Sequence, residues 1–231
     1  MIKNKKSGQL IVISAPSGAG KDTVVKELMK KYGENKWISV SATSRDPRPG
    51  EKEGVDYFYL TKEEFEKNIE EGFFLEYTNY AGNYYGTPKK YIKEKLDNGI
   101  DVILIIEIEG AMNIKKLIPE ALFIFIMPPS IKELVRRLKN RGTETNEKIL
   151  KRFNSTYKEI NEVTKYNYVV VNDIVENAVE KVNAIINAEK CRVDRIEEVY
   201  LDTKEEEIHE LLMNEDNFDN TGIGERMWIN K

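Results

Sequence analysis

The residues best suited to chemistry form a glycine loop near the start of the chain. A short apolar run, residues 10–14, leads into a turn that contains Gly18 and ends in Gly20 and Lys21, and helical spacing follows. This order makes a cradle for a polyphosphate, because loop N–H groups, a helix N-terminus and a lysine all attract anions. A chance glycine turn is the alternative, but the flanking strand and helix favour a nucleotide site. We predict ATP binding at Ala15, Pro16, Ser17, Gly18, Ala19, Gly20, Lys21, Asp22 and Thr23.

Two loop positions depart from the usual pattern G-x-x-x-x-G-K-[ST]. Ala15 stands where the first glycine is usual, and Asp22 stands where a hydroxyl usually binds Mg²⁺. The Asp22 carboxylate can bind or orient Mg²⁺, or it can simply stabilise the start of the helix. Thr23 lies one residue late for the magnesium role but can still contact a phosphate. The loop therefore predicts a nucleoside triphosphate site and leaves the role of Asp22 open.

Composition narrows the class of protein. A chain of 231 residues with 40% hydrophobic and 33% charged residues is typical of a soluble protein with one domain and insertions, or two small domains. The one cysteine, Cys191, excludes an internal disulfide, and the one histidine, His209, makes zinc or histidine chemistry improbable. We find no secretory signal or membrane span, and so expect a cytoplasmic protein.

Charge is distributed unevenly along the chain. Residues 192–231 hold five basic against twelve acidic residues, a net charge of −7, so the other 191 residues carry +3 within the total of −4. A mildly basic body suits small anionic ligands. It lacks the strong basic patch of a nucleic-acid binder, so we expect no nucleic-acid partner and no membrane partner.

The remaining pattern alternates strands with helices. Consecutive apolar residues, typical of strands covered on both faces, predict strands at residues 37–41, 101–107, 122–127 and 168–171. Helical spacing predicts helices at residues 22–32, 88–98, 110–118, 130–140, 146–163 and 174–190. Pro88 suits a first helical turn, and Ser130 with Glu133 forms a capping box. We therefore predict an α/β fold with a parallel sheet wrapped by helices and ligands at the strand carboxyl ends.

Residues 36–88 interrupt this alternation. They predict a short strand at residues 57–59, a helix capped by Thr61 and Glu64, and a hairpin with Gly82 and Asn83 at its tip. This is a small α+β insertion.

Two arginines in the insertion, Arg45 and Arg48, flank a kinked loop and can grip one phosphate group. The alternative makes these arginines solvated surface charges and the nearby tyrosines part of the hairpin core.

Three motifs together resemble the guanylate kinase family of P-loop nucleoside monophosphate kinases. They are Ser-Val-Ser-x-x-x-Arg-x-x-Arg at 39–48, Gly-Asn-Tyr-Tyr-Gly-Thr at 82–87 and Arg-Gly-Thr-Glu-Thr at 141–145, within a resemblance from about residue 10 to 188. The resemblance implies ATP-dependent, Mg²⁺-dependent phosphorylation of GMP to GDP. It also implies a kinase core at 1–35 and 89–190, a GMP-binding insertion at 36–88 and a helical lid at 137–152. Residues 191–231 are left as an acidic extension of unknown role.

The resemblance further assigns roles to residues. The GMP phosphate would be held by Arg45, Arg48, Tyr57 and Tyr85. The guanine would face Ser41, Glu76 and Thr87. The transferred phosphoryl group would be stabilised by Lys21, Arg137, Arg141 and Arg152, and the adenine side would be contacted by Asn172 and Asp173. Glu107 would end a buried strand and hold GMP or magnesium-bound water, with Asp22 as a second candidate metal ligand.

One position departs from the family, and other functions stay open. Ile105 stands where the family commonly has a second acid, so that carboxylate is absent from the expected magnesium site. The alternatives are a P-loop kinase for another nucleotide or a sugar phosphate, and a non-catalytic binding module on the same fold. The intact Gly20 and Lys21 favour an enzyme with ATP and GMP as partners.

Overall fold

A computed structural model describes residues 2–4, 7–80, 82–139, 156–157 and 159–199. The chain divides into two compact units, Lys6–Glu189 and a smaller one made of Met1–Lys5 and Lys190–Lys231. In the smaller unit, strand β1 (Ile2–Asn4) pairs antiparallel with β11 (Ile196–Val199). The larger unit contains all other elements described below.

A five-stranded parallel sheet forms the centre of the larger unit, in the order β10-β9-β2-β8-β3. Its strands are β2 (Leu10–Ser14), β3 (Lys36–Ile38), β8 (Asp101–Ile105), β9 (Leu122–Met127) and β10 (Tyr168–Val171). The three middle strands are buried at almost every position, as their continuous apolar sequence predicts. The edge strand β10 leaves most of its residues partly open to solvent.

In the described part of this unit, six longer α-helices accompany the strands, and residues 156–157 and 159–161 are also helical. The six longer helices are α1 (Lys21–Tyr32), α2 (Lys62–Glu70), α3 (Lys89–Asp97), α4 (Ile108–Leu117), α5 (Ile131–Lys139) and α6 (Val175–Glu189). Alternate residues of a strand point to opposite faces, so Ile11 packs with α1 and α6, whereas Val12 packs with α3 and α4. The sheet is therefore covered by helices on both faces, and the predicted α/β fold is confirmed.

The insertion forms a second, four-stranded sheet in the order β5-β4-β7-β6. Its strands are β4 (Ala42–Thr43), β5 (Phe58–Tyr59), β6 (Phe74–Tyr80) and β7 (Asn83–Pro88), the last two being the predicted hairpin. The predicted capping box at the start of α2 is present, with both Thr61 and Glu64 hydrogen-bonded to each other's backbone. Phe65 from α2 stacks between Phe74 and Tyr84, with ring centroids 4.3 and 5.1 Å away. This aromatic stack holds helix and hairpin together.

The predicted strand at 101–107 is wrong at its end. Strand β8 stops at Ile105, and Glu107 is the N-cap residue of α4, which begins at Ile108 and not at residue 110. The cause is visible in the packing: Ile106 and Ile108 remain buried beyond the strand, so hydrophobicity alone gives no stop signal. Glu107 therefore begins a helix.

Other predicted elements also differ from the structure at their ends. The strand expected at 37–41 ends at Ile38, because the chain leaves the central sheet there and joins the insertion sheet at β4, from Ala42. Ser130 accepts a hydrogen bond from the Glu133 N–H, but the Glu133 carboxylate binds Arg136 and Arg137, so half of that predicted capping box is seen in the described chain. Of the helix expected at 146–163, residues 146–155 and 158 lie outside the described residues, whereas residues 156–157 and 159–161 are helical as predicted. A 3₁₀ turn, Glu162–Lys165, follows.

Candidate active site

A cleft of about 330 Å³ opens at the carboxyl ends of β2 and β8 and faces the insertion. Ligands of parallel α/β sheets usually bind at this edge. The cleft brings together most of the predicted site residues: Ala15, Pro16, Ser17, Gly18, Gly20, Lys21, Asp22, Thr23, Ser41, Arg45, Arg48, Tyr57, Glu76, Tyr85 and Glu107. Residues from the glycine loop and from the insertion therefore line one space.

The glycine loop has the backbone shape that its sequence predicts. Gly18 and Gly20 have φ angles of 90° and 88°, in the left-handed region that favours glycine. Gly20 is the N-cap residue of α1, and a Cβ atom there would lie 2.6 Å from Asn172 Nδ2. Lys21 begins the helix, and its Nζ lies 3.6 Å from Glu107 Oε1. The loop thus places a helix N-terminus and an ammonium group at the same end of the cleft.

Two predicted ligand residues support the loop from behind and do not line the cleft. Asn172 Nδ2 donates to the Ala19 carbonyl at 2.8 Å, and Arg137 Nη1 donates to the same oxygen at 3.2 Å. Arg137 Nη2 also donates to the Asn172 carbonyl at 3.2 Å. Asp173 accepts a hydrogen bond from the Ile174 N–H and lies outside the lining. Contacts of Asn172 and Asp173 with adenine, and of Arg137 with a phosphoryl group, stay predictions.

An acid that sequence reasoning missed organises the two arginines of the insertion. Glu51 accepts hydrogen bonds from Arg45 Nη2 at 3.0 Å, from the Arg48 N–H at 2.7 Å and from the Tyr59 hydroxyl at 2.8 Å. Desolvation acts to raise the pKa of Glu51, but these hydrogen bonds outweigh it and hold the pKa below its usual value. The only local signal is the spacing of Glu51 three residues after Arg48, around Gly50 with its φ of 91°.

Tyr57 lies over this arginine loop and keeps its proton. Burial, followed by the nearby Tyr85, Asp22 and Glu107, raises the pKa of Tyr57 to about 12. The Arg45 guanidinium lies 5.5 Å from the centroid of the Tyr57 ring, and the Tyr85 ring meets the same ring edge-on at 6.1 Å. Tyr57 is therefore a hydroxyl donor at neutral pH, held beside a guanidinium group.

A buried carboxylate lies on the insertion side of the cleft. Glu76 on β6 is 7% exposed, and its Oε1 accepts a hydrogen bond of 2.6 Å from the hydroxyl of Thr87 on β7. Burial raises the pKa of Glu76 to about 7; the Thr87 hydrogen bond opposes this rise and the charge of Glu109 adds to it. Thr87 is fully buried behind Glu76 and does not line the cleft, whereas Ser41 does.

Two carboxylates in the cleft have the chemistry to hold Mg²⁺ with a nucleotide. The described residues contain no group of three or more His, Cys, Asp or Glu side chains that could hold a metal alone. Mg²⁺ in nucleotide sites usually takes one or two carboxylates, with phosphate oxygens and water completing the shell. Asp22 and Glu107 line the same cleft, which fits that donor set. Ile105 also lines it, at the position of the missing second acid.

Most of the predicted lid lies outside the described residues. The lid, residues 137–152, is described only as far as residue 139, so Arg141 and Arg152 lie outside the described residues. Sequence reasoning also missed Glu159, which lines the cleft and accepts a hydrogen bond of 3.1 Å from the Ser17 N–H. Among the helices that the structure describes, none has the length and apolar character to cross a membrane.

A parallel α/β sheet, a glycine loop ending in Lys21 and an arginine-bearing insertion across the cleft define a P-loop nucleoside monophosphate kinase. Comparison with known proteins agrees. The sequence profile of the guanylate kinase family matches residues 7–189, nearly the whole of the larger unit. The chain belongs to the guanylate kinase family and is an enzyme of that kinase class.

Individual relatives support this assignment. A guanylate kinase of Clostridium acetobutylicum is 58% identical over 205 residues, covering 89% of this chain and 97% of that protein. A guanylate kinase of Clostridium tetani is 58% identical over 207 residues, covering 90% of this chain and 99% of that protein. The crystal structure of guanylate kinase from Anaplasma phagocytophilum matches with a TM-score of 0.71 and 32% identity, covering 93% of this chain and 98% of that chain.

Proposed function

We propose that the protein transfers the γ-phosphoryl group of ATP directly to GMP, giving ADP and GDP. The observation that carries this proposal is that the buried carboxylate of Glu76 lines the same cleft as the glycine loop and Lys21. One end of the cleft suits a triphosphate and the other suits a purine with hydrogen-bond donors. We also keep the expectation of a cytoplasmic enzyme that acts on free nucleotides.

Glu76 supplies the selectivity for guanine. Guanine presents N1–H and the 2-amino group as adjacent donors, and one ionised carboxylate accepts both. Adenine has an acceptor at N1 and no 2-amino group, so it would leave the buried carboxylate unpaired, and a site of this kind rejects the wrong partner by ~10⁴ or more. The Thr87 hydroxyl donates to Oε1, and the Ser41 hydroxyl, which lines the cleft, would donate to the guanine O6.

The acceptor phosphate is held by fixed positive charge. Arg45 and Arg48 provide guanidinium groups, and Glu51 binds the Arg45 guanidinium and the Arg48 backbone N–H. Tyr57, which keeps its proton, and Tyr85 add hydroxyl donors. A phosphate oxygen of GMP is already a nucleophile, so no side chain has to act as a strong base. Catalysis by the chain then consists of orienting both nucleotides in line and stabilising charge.

Charge on the transferred group is balanced by Lys21 and the predicted lid arginines. Arg137 holds the loop through the carbonyls of Ala19 and Asn172, so its role in this arrangement is to fix the loop's shape. Mg²⁺ would be held by Asp22 and, through water, by Glu107, and when bound it would neutralise phosphate charge. Closure of the insertion and the lid would exclude water from the cleft.

A coupled assay with ATP, Mg²⁺ and a panel of monophosphates tests the reaction. We expect GDP formation from GMP and little turnover of AMP, UMP, dTMP or ribose phosphates. No GDP formation would contradict the proposed enzymatic reaction. A non-catalytic binding module on the same fold would then be the remaining alternative. Faster turnover of another acceptor would indicate a different P-loop kinase.

The guanine-reading role has its own test. Glu76→Gln should raise the KM for GMP much more than the KM for ATP, because the amide nitrogen donates where guanine needs an acceptor. Glu70→Gln, at the exposed end of α2, is the matched control and should change neither constant. Equal losses for GMP and ATP would refute this role of Glu76.

A further inference from the structure

Gly110 lies in the first turn of α4, directly against the carboxylate of Glu76. A methyl group added at its Cα would lie 2.7 Å from Glu76 Oε2, 3.2 Å from Cδ and 3.5 Å from Oε1. Its three nearest neighbours would all be atoms of that one carboxylate. Helix α4 and strand β6, which carry these two residues, pack against each other. The Glu76 carboxylate therefore occupies the space that a side chain at residue 110 would need.

Backbone geometry does not explain a glycine at this position. Gly110 is helical, and it is not among the described glycines with a positive φ angle. Inside a helix, glycine costs about 1 kcal/mol relative to alanine. Residue 110 lines the cleft, so the site, rather than the fold of α4, gains from the absence of a Cβ atom.

We propose that Gly110 is a specificity-determining residue that positions Glu76 for guanine. This inference rests on the proposed GMP kinase activity and deepens it. The carboxylate is confined on two sides: Thr87 donates to Oε1 at 2.6 Å, and Oε2 lies against the bare Cα of Gly110. With both oxygens confined, the pair of acceptors keeps one orientation for N1–H and the 2-amino group of guanine.

A methyl group at residue 110 would displace the carboxylate but spare the fold. A contact of 2.7 Å is too short for a Cβ atom, so one partner has to move. The atoms it meets belong to the end of a flexible side chain, which turns away more easily than a packed helix shifts. The turned carboxylate would lose its alignment with guanine and its hydrogen bond from Thr87. Misplacing a substrate-positioning group by about 1 Å can cost about 10²-fold in rate.

The test is Gly110→Ala, assayed with GMP, with IMP and with ATP. IMP has the N1–H of guanine but no 2-amino group, so the ratio of kcat/KM for GMP over IMP measures how well both carboxylate oxygens are used. We expect kcat/KM for GMP to fall by roughly ten- to a hundredfold and the GMP over IMP ratio to shrink towards one. The KM for ATP should stay within about twofold. The unfolding temperature should fall only slightly, because the gain from alanine in a helix offsets part of the lost hydrogen bond from Thr87.

Two further variants separate positioning from general damage. Lys116→Ala is an exposed change in the same helix and should leave every constant unchanged. Glu76→Asp shortens the side chain by one methylene and makes room for the methyl group. The double variant Gly110→Ala/Glu76→Asp should therefore lose less activity with GMP than the product of the two single losses predicts.

The outcomes distinguish this inference from the function on which it rests. A wild-type enzyme that forms no GDP would overturn the proposed function itself. An active wild type with an unchanged GMP over IMP ratio in Gly110→Ala would overturn only the role of Gly110. If Gly110→Ala fails to fold, the double variant decides: a folded double variant supports the contact with Glu76, and a second misfolded protein contradicts it.

Discussion

The Ser17 N–H donates a hydrogen bond of 3.1 Å to Glu159 Oε2, although the two residues lie 142 positions apart. Ser17 belongs to the glycine loop, whose backbone N–H groups are suited to phosphate oxygens. This N–H therefore binds an anion that the chain itself supplies. An incoming triphosphate has to compete with that carboxylate and with its charge.

Removing the charge of Glu159 should tighten ATP binding. The side-chain amide in the variant Glu159→Gln would keep an oxygen acceptor but no longer repel phosphate, and we expect the KM for ATP to fall by roughly threefold to tenfold, about 1 kcal/mol. Isothermal titration with ATP gives the same comparison without catalysis. Glu162→Gln is the control, because that carboxylate pairs with Lys165 and does not line the cleft. Unchanged or weaker ATP binding by Glu159→Gln would show that Glu159 does not compete with the nucleotide.

The buried Glu76 should make the wild-type protein less stable as pH rises. The pKa of Glu76 is raised to about 7 in the folded state, from an ordinary value near 4.5. Between about pH 4.5 and pH 7, the folded state therefore binds more protons than the unfolded state does. The free energy of unfolding then falls as pH increases from about 4.5 to about 7 and stays low above that. Glutamine carries no charge there, so Glu76→Gln should be more stable than wild type by up to about 3 kcal/mol at pH 8.

Denaturant titrations at two pH values check this expectation. At pH 5 the gain of Glu76→Gln should shrink to about 1 kcal/mol or less, because Glu76 in the folded wild type is then mostly protonated. Glu70→Gln, an exposed carboxylate, should show no comparable difference between pH 5 and pH 8. A gain that is equal at both pH values would mean that Glu76 does not titrate in this range.

Local sequence patterns predicted the fold where the signal lies within a few residues. Strand β9 (Leu122–Met127) has the predicted bounds because Pro119 precedes its apolar run and Pro128 and Pro129, which cannot donate to a sheet, follow it. The start of α2 follows from Thr61 and Glu64, which interact across three positions. Where the apolar run continues through Ile106 and Ile108, the same reasoning placed Glu107 on a strand, and the structure places it at a helix N-terminus.

The site was predictable as a set of motifs, but not in the side-chain contacts that hold those motifs in place. Glu51 acts on Arg45 across a turn, Gly110 meets a carboxylate from β6, and Glu159 meets the glycine loop from far along the chain. None of these three residues belongs to the motifs that predicted the site. A glycine in a helix or a single acid on a loop has many possible reasons, and only tertiary packing selects one.

Loss of the Glu51 charge should weaken binding of the acceptor phosphate of GMP. Glu51→Gln removes the paired anion from Arg45 and weakens the hydrogen bonds from Arg48 and Tyr59. Hydrogen bonds to charged groups contribute about 1.5–3 kcal/mol, so the KM for GMP should rise by roughly tenfold or more. Guanosine has the same base and no phosphate, and its inhibition constant should stay unchanged.

The neighbouring acid Glu53 provides the control for Glu51. Its carboxylate accepts a hydrogen bond from the Tyr59 N–H at 2.9 Å in the same segment, and it is not a partner of Arg45 or Arg48 in any described contact. Glu53→Gln should therefore leave the KM for GMP within about twofold. If Glu51→Gln weakens the binding of guanosine as much as the binding of GMP, the substitution disturbs the insertion in general and not the phosphate site in particular.

The two roles open to Asp22 predict different results for Asp22→Asn. Asp22 is the second residue of α1 and lines the cleft beside Lys21, so its carboxylate can serve Mg²⁺ or the positive end of the helix. If it holds Mg²⁺, the Mg²⁺ concentration for half-maximal rate should rise several-fold, and saturating Mg²⁺ should restore most of kcat. Glu27→Gln, a surface carboxylate of the same helix paired with Lys30 at 3.5 Å, should not change that concentration. An unchanged Mg²⁺ requirement with a loss of up to about 1 kcal/mol in stability would assign Asp22 to the helix N-terminus alone.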